Sequence, residues 1–178
     1  QPGAVRGLRP GQGDVAARVA LPGLHNAYNV TAAVAVAAAL GIPPDVTAAA
    51  LATSHAAFGR AERVTVAGVD TMLLLVKNPA GANETIRTVL LDPEPVDVVV
   101  ALNDRTADGR DVSWIWDVDY ELLLPRIRHL TVTGDRAYDL ALRFRYAGLA
   151  SERMSIMTNL EAAVDQAVAT TPPGRPLY

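Results

Sequence analysis

The chain has 178 residues, a net charge of −3, no cysteine and a half-hydrophobic composition. That length suits one domain or one and a part, with enough apolar residues for a sizeable core. The charge gives no bulk basicity for nucleic acid, the missing cysteines exclude a disulfide framework or a thiolate metal site, and no apolar run reaches the ~18 residues of a membrane-crossing helix.

Gln1 to Gly13 reads as loop, without the apolar segment of a signal peptide. Val15 to Leu21 reads as a short strand closed by the turn pair Pro22-Gly23. Val30 to Leu40 is an almost pure alanine and valine run ended by Gly41. Alanine favours helix and the run exceeds ten residues, so it is expected to be a helix buried on several sides, with Asn26 or Asn29 as its N-cap. A second helix, Val46 to Ala52, opens at Pro43-Pro44-Asp45. Thr53 to Arg63 reads as a loop, and a domain boundary is expected within Gly59 to Arg63.

From Val64 the periodicity changes. Val64 to Ala67 and Thr71 to Val76 read as strands around a turn at Gly68-Val69-Asp70. Ala82 to Leu91 is an amphipathic helix with Ile86, Val89 and Leu90 inward, followed by the breaker Pro93-Glu94-Pro95. Val96 to Leu102 is a nearly continuous β-branched run, as a central parallel strand requires. A helix is expected over Tyr120 to Ile127, a strand over His129 to Thr133, a helix over Arg136 to Ala147 and a strand over Met154 to Met157. Asn159 caps a helix from Leu160 to Ala169. Pro172 to Tyr178 reads as a turn entering a strand that is cut, as in a fragment of a longer protein. Strands alternating with helices predict an α/β fold, a three-layer open and mostly parallel sheet, from about residue 61.

Between the Val96 strand and the Tyr120 run lies N-D-R-T-A-D-G-R-D-V-S-W-I-W-D-V-D-Y-E (103–121). Five aspartates, at 104, 108, 111, 117 and 119, stand there beside Trp114 and Trp116, the only tryptophans. Loops that follow strands are where α/β sheets meet ligands and partners. The plainer reading is a solvated acidic loop pinned by two half-buried indoles. His25, Asn26 and Asn29 precede the alanine helix. The amides of Asn26 and Asn29 offer the paired donor and acceptor that suit an adenine edge, or they simply cap. Arg60 and Arg63 stand where a guanidinium forks onto phosphate or carboxylate, or pairs across a domain boundary. Lys77 and Asn78 follow a strand, where anionic ligands bind in open α/β sheets, and Asn83 is a candidate cap. No glycine-rich phosphate cradle is present, His25, His55 and His129 have no metal-ligand spacing, and no Ser-His-Asp set follows from spacing alone.

Several of these stretches together resemble a known family. L-P-G-L-H-N-A-Y-N-V-T-A-A-V (21–34) is similar to the end of the ATP-binding central domain of the Mur ligases. Phe58-Gly59-Arg60-Ala61-Glu62 resembles their linker into the C-terminal domain. K-N-P-A-G-A-N (77–83), the 103–121 stretch and V-T-G-D-R-A (132–137) resemble the ligase-like subunits, termed MurT, of lipid II isoglutaminyl synthase. The resemblance implies residues 1–60 as the helical end of a central ATP-binding domain, and 61–178 as a Rossmann-like C-terminal domain truncated at its end. It implies ligase chemistry in peptidoglycan biosynthesis, in the bacterial cytoplasm at the inner face of the membrane. The α-carboxylate of D-glutamate in the lipid II stem peptide would be activated with ATP and Mg²⁺. Ammonia released from glutamine by a GatD-type glutaminase partner would then form D-isoglutamine. It implies a catalytic aspartate completing a Cys-His-Asp set across the subunit interface, placed on Asp111 with Asp117 second. His25, Asn26, Asn29 and Arg60 would contact nucleotide, and Lys77 and Asn78 substrate or phosphate. No metal ligand is assigned. The cysteine zinc ribbon of many such subunits has no counterpart here, and neither do the family's P-loop lysine and Mg²⁺ ligands, so the chain alone is expected to be inactive. Two other readings stand: a partner-docking module without catalytic residues, and an ordinary Mur ligase C-terminal domain that adds an amino acid.

Overall fold

The structure, a computed structural model, describes residues 3–9, 13–19, 24–54, 60–106 and 109–178, with side chains from Asn26 on except that of Arg60. The turn expected at Pro22-Gly23, and His55, Phe58, Gly59 and Asp108, lie outside the described residues. The chain divides into two compact units, Gln1–Ala61 and Glu62–Tyr178.

In the first unit, β1 (Gly3–Arg9) and β2 (Gly13–Val19) form an antiparallel hairpin, with Gly3 opposite Val19. The expected loop before Gly13 is therefore partly a strand. Helices α1 (Leu24–Ala39) and α2 (Pro44–Ala52) pack against this hairpin. Pro44 opens α2, where its missing N–H has no intrahelical partner to lose. Helix α1 begins six residues before the alanine run, so Asn26 and Asn29 lie inside its first turns and do not cap it. Expected burial on several sides is not found. Val30 and Val34 are buried, whereas Val36 and Leu40 are exposed. Alanine's intrinsic preference makes this run helical without demanding that every face be covered.

The second unit is built on one sheet. Strand β3 (Arg60–Val66) turns at Ala67 and Gly68 into β4 (Val69–Leu74), and Arg63 pairs with Asp70 at 2.9 Å. The turn thus begins one residue earlier than expected, at Ala67, which accepts a left-handed φ of 46° beside Gly68. Helix α3 (Pro79–Val89) leads to β5 (Val96–Ala101), which pairs in parallel with β6 (Ile127–Thr133), and β6 pairs in parallel with β7 (Met154–Ile156). Between β6 and β7 lies α4 (Ala137–Ala147), and after β7 lies α5 (Leu160–Thr170), whose N-cap Asn159 accepts from the Ala162 N–H at 2.9 Å. The last residues return between β4 and β5. Leu177 bridges both Thr71 and Asp97 in parallel, and the Val99 N–H donates to the Tyr178 carbonyl at 2.8 Å.

This order explains the layers. The steps from β4 to β5, β5 to β6 and β6 to β7 run one way across the sheet, and the step after β7 runs back. Right-handed crossovers then place α3, the 103–126 segment and α4 on one face and α5 on the other. The core follows that division. Ile86 and Val89 of α3, Val98 of β5, Leu130 and Val132 of β6, and Phe144 of α4 are buried together, while Ala163 and Ala167 of α5 cover the opposite face. Leu90, expected inward, is only partly buried.

The helix expected over Tyr120 to Ile127 is absent. Two short 3-10 turns stand instead, Ser113–Asp117 and Tyr120–Leu122, and the chain enters β6 at Ile127. Pro125 interrupts a run too short to regain an α-helix, and 3-10 turns serve as connectors of this kind.

Candidate functional site: an aspartate-rich segment leaving the carboxyl edge of the sheet

Because β4, β5, β6 and the Leu177 segment are parallel, their carboxyl ends share one edge. Lys77 and Asn78 leave β4 there, Asn103 and Asp104 leave β5, and Gly134 and Asp135 leave β6. Ligands of open α/β sheets bind outside such an edge.

The exits of β5 and β6 are fastened to each other. The Asn103 side chain accepts from the Asp135 N–H at 3.0 Å, and Arg105 donates to Asp135 at 2.9 Å. Gly134 has a φ of 93°, and a Cβ there would lie 2.5 Å from the Leu102 carbonyl oxygen. Only glycine allows this approach.

From this fastening the chain runs to Asp111, whose Oδ1 accepts from the Ser113 N–H at 2.9 Å and heads the first 3-10 turn. Bonds from the Ser113 hydroxyl and N–H outweigh a small desolvation effect and hold the Asp111 carboxyl below the usual carboxylate range. Asp111 is exposed and forms no ion pair among the described residues. Asp117, at the end of the same turn, is also exposed and has no hydrogen-bond partner among the described residues. Asp104 lies 3.8 Å from Arg136, in a loose surface pair. Asp119 is bound twice by Asn83 of α3. Its N–H donates to Asn83 Oδ1 at 2.9 Å, and its carboxylate accepts from Asn83 Nδ2 at 3.0 Å. Asn83 is therefore a clamp rather than a cap, and it joins the 77–83 motif to the 103–121 motif.

The 3-10 turns are held from beneath by Arg143 of α4, which is 5% exposed. Its guanidinium donates to the Ile115 carbonyl at 3.2 Å and the Val118 carbonyl at 2.7 Å, and pairs with Glu121 at 2.9 Å. It also lies 5.7 Å from the Trp116 ring and 5.3 Å from the Tyr120 ring. Its hydrogen bond to Glu121 holds that carboxyl below its ordinary value despite slight desolvation. Burial pushes the Tyr120 hydroxyl up to about 12, although the Arg143 charge opposes the shift. Trp114 packs against the core, and Trp116 stays 47% exposed, edge-on to Tyr146 at 5.6 Å. The aspartates thus ride on a fixed scaffold. Arginine 143 was invisible as a site residue in sequence because A-L-R-F-R-Y reads as an ordinary helix. The available signal was a cation at a helix position flanked by the buried Ala141 and Phe144.

Other expected residues are dispersed. Asn26 and Asn29 share the first turns of α1, with Asn29 Nδ2 3.4 Å from Asn26 Oδ1. His25 precedes them in α1 and Arg60 begins β3, with both side chains outside the description. Lys77 is exposed, and the Asn78 side chain accepts from the Gly81 N–H at 2.8 Å as the N-cap of α3. Among the described residues no three histidine or acidic side chains gather to hold a metal, and no helix is long and apolar enough to cross a membrane.

A second polar group lies under α5. His129 Nε2 is 2.9 Å from Ser155 Oγ, and Asp97 is the register partner of His129. This row imitates a hydrolytic triad, but the Asp97 carboxylate is held by Arg128 at 2.5 Å. Without an aspartate orienting the imidazole, the row is a cross-strand contact.

Residues 75–178 match the MurT ligase C-terminal family. A relative from Streptococcus pneumoniae (strain ATCC BAA-255 / R6), the MurT subunit of lipid II isoglutaminyl synthase (glutamine-hydrolyzing), is 38% identical over 144 residues, covering 80% of this chain and 32% of its own length. The subunit of that name from Staphylococcus aureus (strain COL) is 39% identical over 129 residues, covering 71% and 29%. The chain therefore spans about a third of the length of these relatives, 32% and 29%. Among solved structures, MurF from Acinetobacter baumannii aligns with a TM-score of 0.74 at 23% identity, over 98% of this chain and 38% of that one. Mycobacterium tuberculosis folylpolyglutamate synthase complexed with ADP aligns with a TM-score of 0.69 at 24% identity, over 93% and 37%. At that identity the two structures show the fold, an α/β sheet of the Mur ligase C-terminal kind.

Proposed function

Because the chain belongs to the MurT ligase C-terminal family, we propose that it is part of the ligase subunit of a glutamine-dependent amidotransferase acting on the lipid II stem peptide. In this reading the first unit is the end of a central ATP-binding domain and the second is the C-terminal domain. The reaction converts the α-carboxylate of D-glutamate to its amide, giving D-isoglutamine for peptidoglycan in the bacterial cytoplasm at the inner membrane face. ATP with Mg²⁺ supplies the phosphoryl group that makes the carboxylate an acylating agent. Ammonia displaces phosphate as the C–N bond forms, and a GatD-type glutaminase subunit releases that ammonia from glutamine. In support of the nucleotide, Asn26 and Asn29 stand side by side on α1 with donor and acceptor groups for an adenine edge, and Arg60 lies at the start of β3. His25 belongs to the same patch by sequence. Lys77 and Asn78 stand at the carboxyl edge where an anionic substrate or phosphate would lie.

Asp111 carries the proposal. It is exposed beside the first 3-10 turn, oriented by Ser113 and kept anionic. An ionised carboxylate retains acceptor capacity beyond one such bond. Accepting from the imidazole N–H of the partner's catalytic histidine, it would fix the tautomer and steady the imidazolium as the cysteine thiolate attacks glutamine. Asp117 is the second choice, supported by its lack of an internal partner among the described residues.

One observation favours a second reading, in which the rim only docks the partner: the bond to Ser113 is by itself a structural use for Asp111. The full-length ligase subunit, assembled with its glutaminase, separates the two. With Asp111→Asn, the catalytic reading expects glutaminase turnover to fall by about a hundredfold or more while the complex stays assembled, since a mis-set tautomer costs up to ~10⁴ in known triads. Weakened assembly with normal turnover per complex would favour docking alone. An ordinary amino-acid-adding ligase would instead show full activity without any glutaminase.

A further inference from the structure

Helix α4 turns Leu140, Ala141 and Phe144 into the core. Its outer face carries Tyr138, Leu142 and Tyr146, which are 69, 51 and 75% exposed. Residues four apart lie above one another on a helix, so these three form a single stripe. The stripe does not end with the helix. Tyr146 meets Trp116 edge-on, and Trp116 belongs to the 3-10 turn that Asp111 heads and Asp117 closes. Arg143 packs under the Trp116 ring while bonded to the Ile115 and Val118 carbonyls, so the indole rests on a buried, fully engaged support. A continuous apolar strip of this kind, bordered by charge, marks an interaction surface rather than a solvated face.

The geometry points to this stripe as the apolar centre of the face on which the glutaminase subunit docks. The inference rests on the function proposed above. Two features select that occupant. The relatives from both species are named as subunits, so the longer protein works in an assembly. A carboxylate can reach a partner's imidazole only if the partner's surface lies against the turn that bears it, and the apolar surface continuous with that turn is the Trp116–Tyr146 stripe. Its composition also suits an interface centre. Tyrosine and tryptophan supply large contact area with few torsions to freeze, and such residues dominate binding energy.

The test measures affinity between the full-length ligase subunit and its separately purified glutaminase, for Leu142→Asp and Tyr146→Ala. Leu91→Asp is the control, since Leu91 is 73% exposed and remote in sequence from the stripe. We expect each stripe variant to weaken binding by at least about thirtyfold, the loss typical of a hot-spot residue, with an unchanged melting temperature and a control within about twofold. Parent-like affinity in both stripe variants overturns the inference, as does an effect confined to self-association of the ligase subunit. Asp111→Asn keeps the two claims apart. If it abolishes turnover while the stripe variants bind normally, only the docking face is wrong. If it leaves turnover intact while the stripe variants lose binding, the docking face stands and the catalytic role falls.

Discussion

Arg143 shows how much of the rim depends on a single side chain. Its guanidinium donates to two backbone carbonyls, Ile115 and Val118, the second of which it shares with the Tyr120 N–H, and it underlies Trp116 and Tyr120. Removing it takes the guanidinium donor from the Ile115 carbonyl and one of two donors from Val118, a loss of ~1–3 kcal/mol, whereas the pair with the half-exposed Glu121 adds little after screening. Arg143→Met is therefore expected to destabilise the protein by about 1–3 kcal/mol and to red-shift tryptophan emission as Trp116 loosens. Lysine should not restore it, because an ammonium cannot fork onto both carbonyls. Urea denaturation followed by fluorescence checks both points. Asp111 carries a prediction of the opposite kind, about ionisation. Its folded pKa is depressed, so the stabilisation it gives its turn is present above the ordinary carboxylate pKa and lost as pH falls through the lowered value. Ser113→Ala, which keeps the N–H but removes the hydroxyl, should raise the Asp111 pKa towards the ordinary range in an NMR titration.

At the level of elements, the rim is built by fastening loops to neighbouring helices and strands. Asn83→Ala removes both bonds to Asp119, and a loss of about 1–2 kcal/mol is expected with faster amide exchange at Asp119. Gly134→Ala should be worse, by more than about 2 kcal/mol, since the new Cβ would meet the Leu102 carbonyl and the positive φ would be strained as well. Thermal melts of the two variants would rank them. These fastenings also show what sequence patterns convey. The strands β5 and β6, and the helices α4 and α5 with Gly148 ending one and Asn159 capping the other, were legible because apolar period and terminal residues agreed. The Tyr120 run misled because its leucines have helical spacing while Arg143 and Pro125 impose 3-10 turns. A hydrogen bond from 25 residues away leaves no trace in local periodicity. The same holds for Asn83, which reads as a cap and acts as a long-range clamp.

On the scale of the whole chain, the sheet order starts the two most unusual motifs, 77–83 and 103–121, from one edge, and Asn83 and Asp119 tie them together. The fold class was readable because strands alternated with helices; the return of Leu177 between β4 and β5 was readable only as a strand beginning, since its neighbours are set by crossover handedness. The site was legible as a cluster of acids but not as a hierarchy among them. Structure separates Asp119, bound to Asn83, and Asp104, near Arg136, from Asp111 and Asp117, which face outward on the turn that Arg143 supports. In the proposed function one of these outward carboxylates serves chemistry in another polypeptide. A structure of the full-length ligase subunit with the proposed glutaminase partner tests this. An Asp111 carboxylate oxygen is expected at about 2.6–3.2 Å from a ring nitrogen of that partner's catalytic histidine. An assembly in which Asp111 and Asp117 both bond only within their own chain, with that histidine oriented by another group, would contradict it.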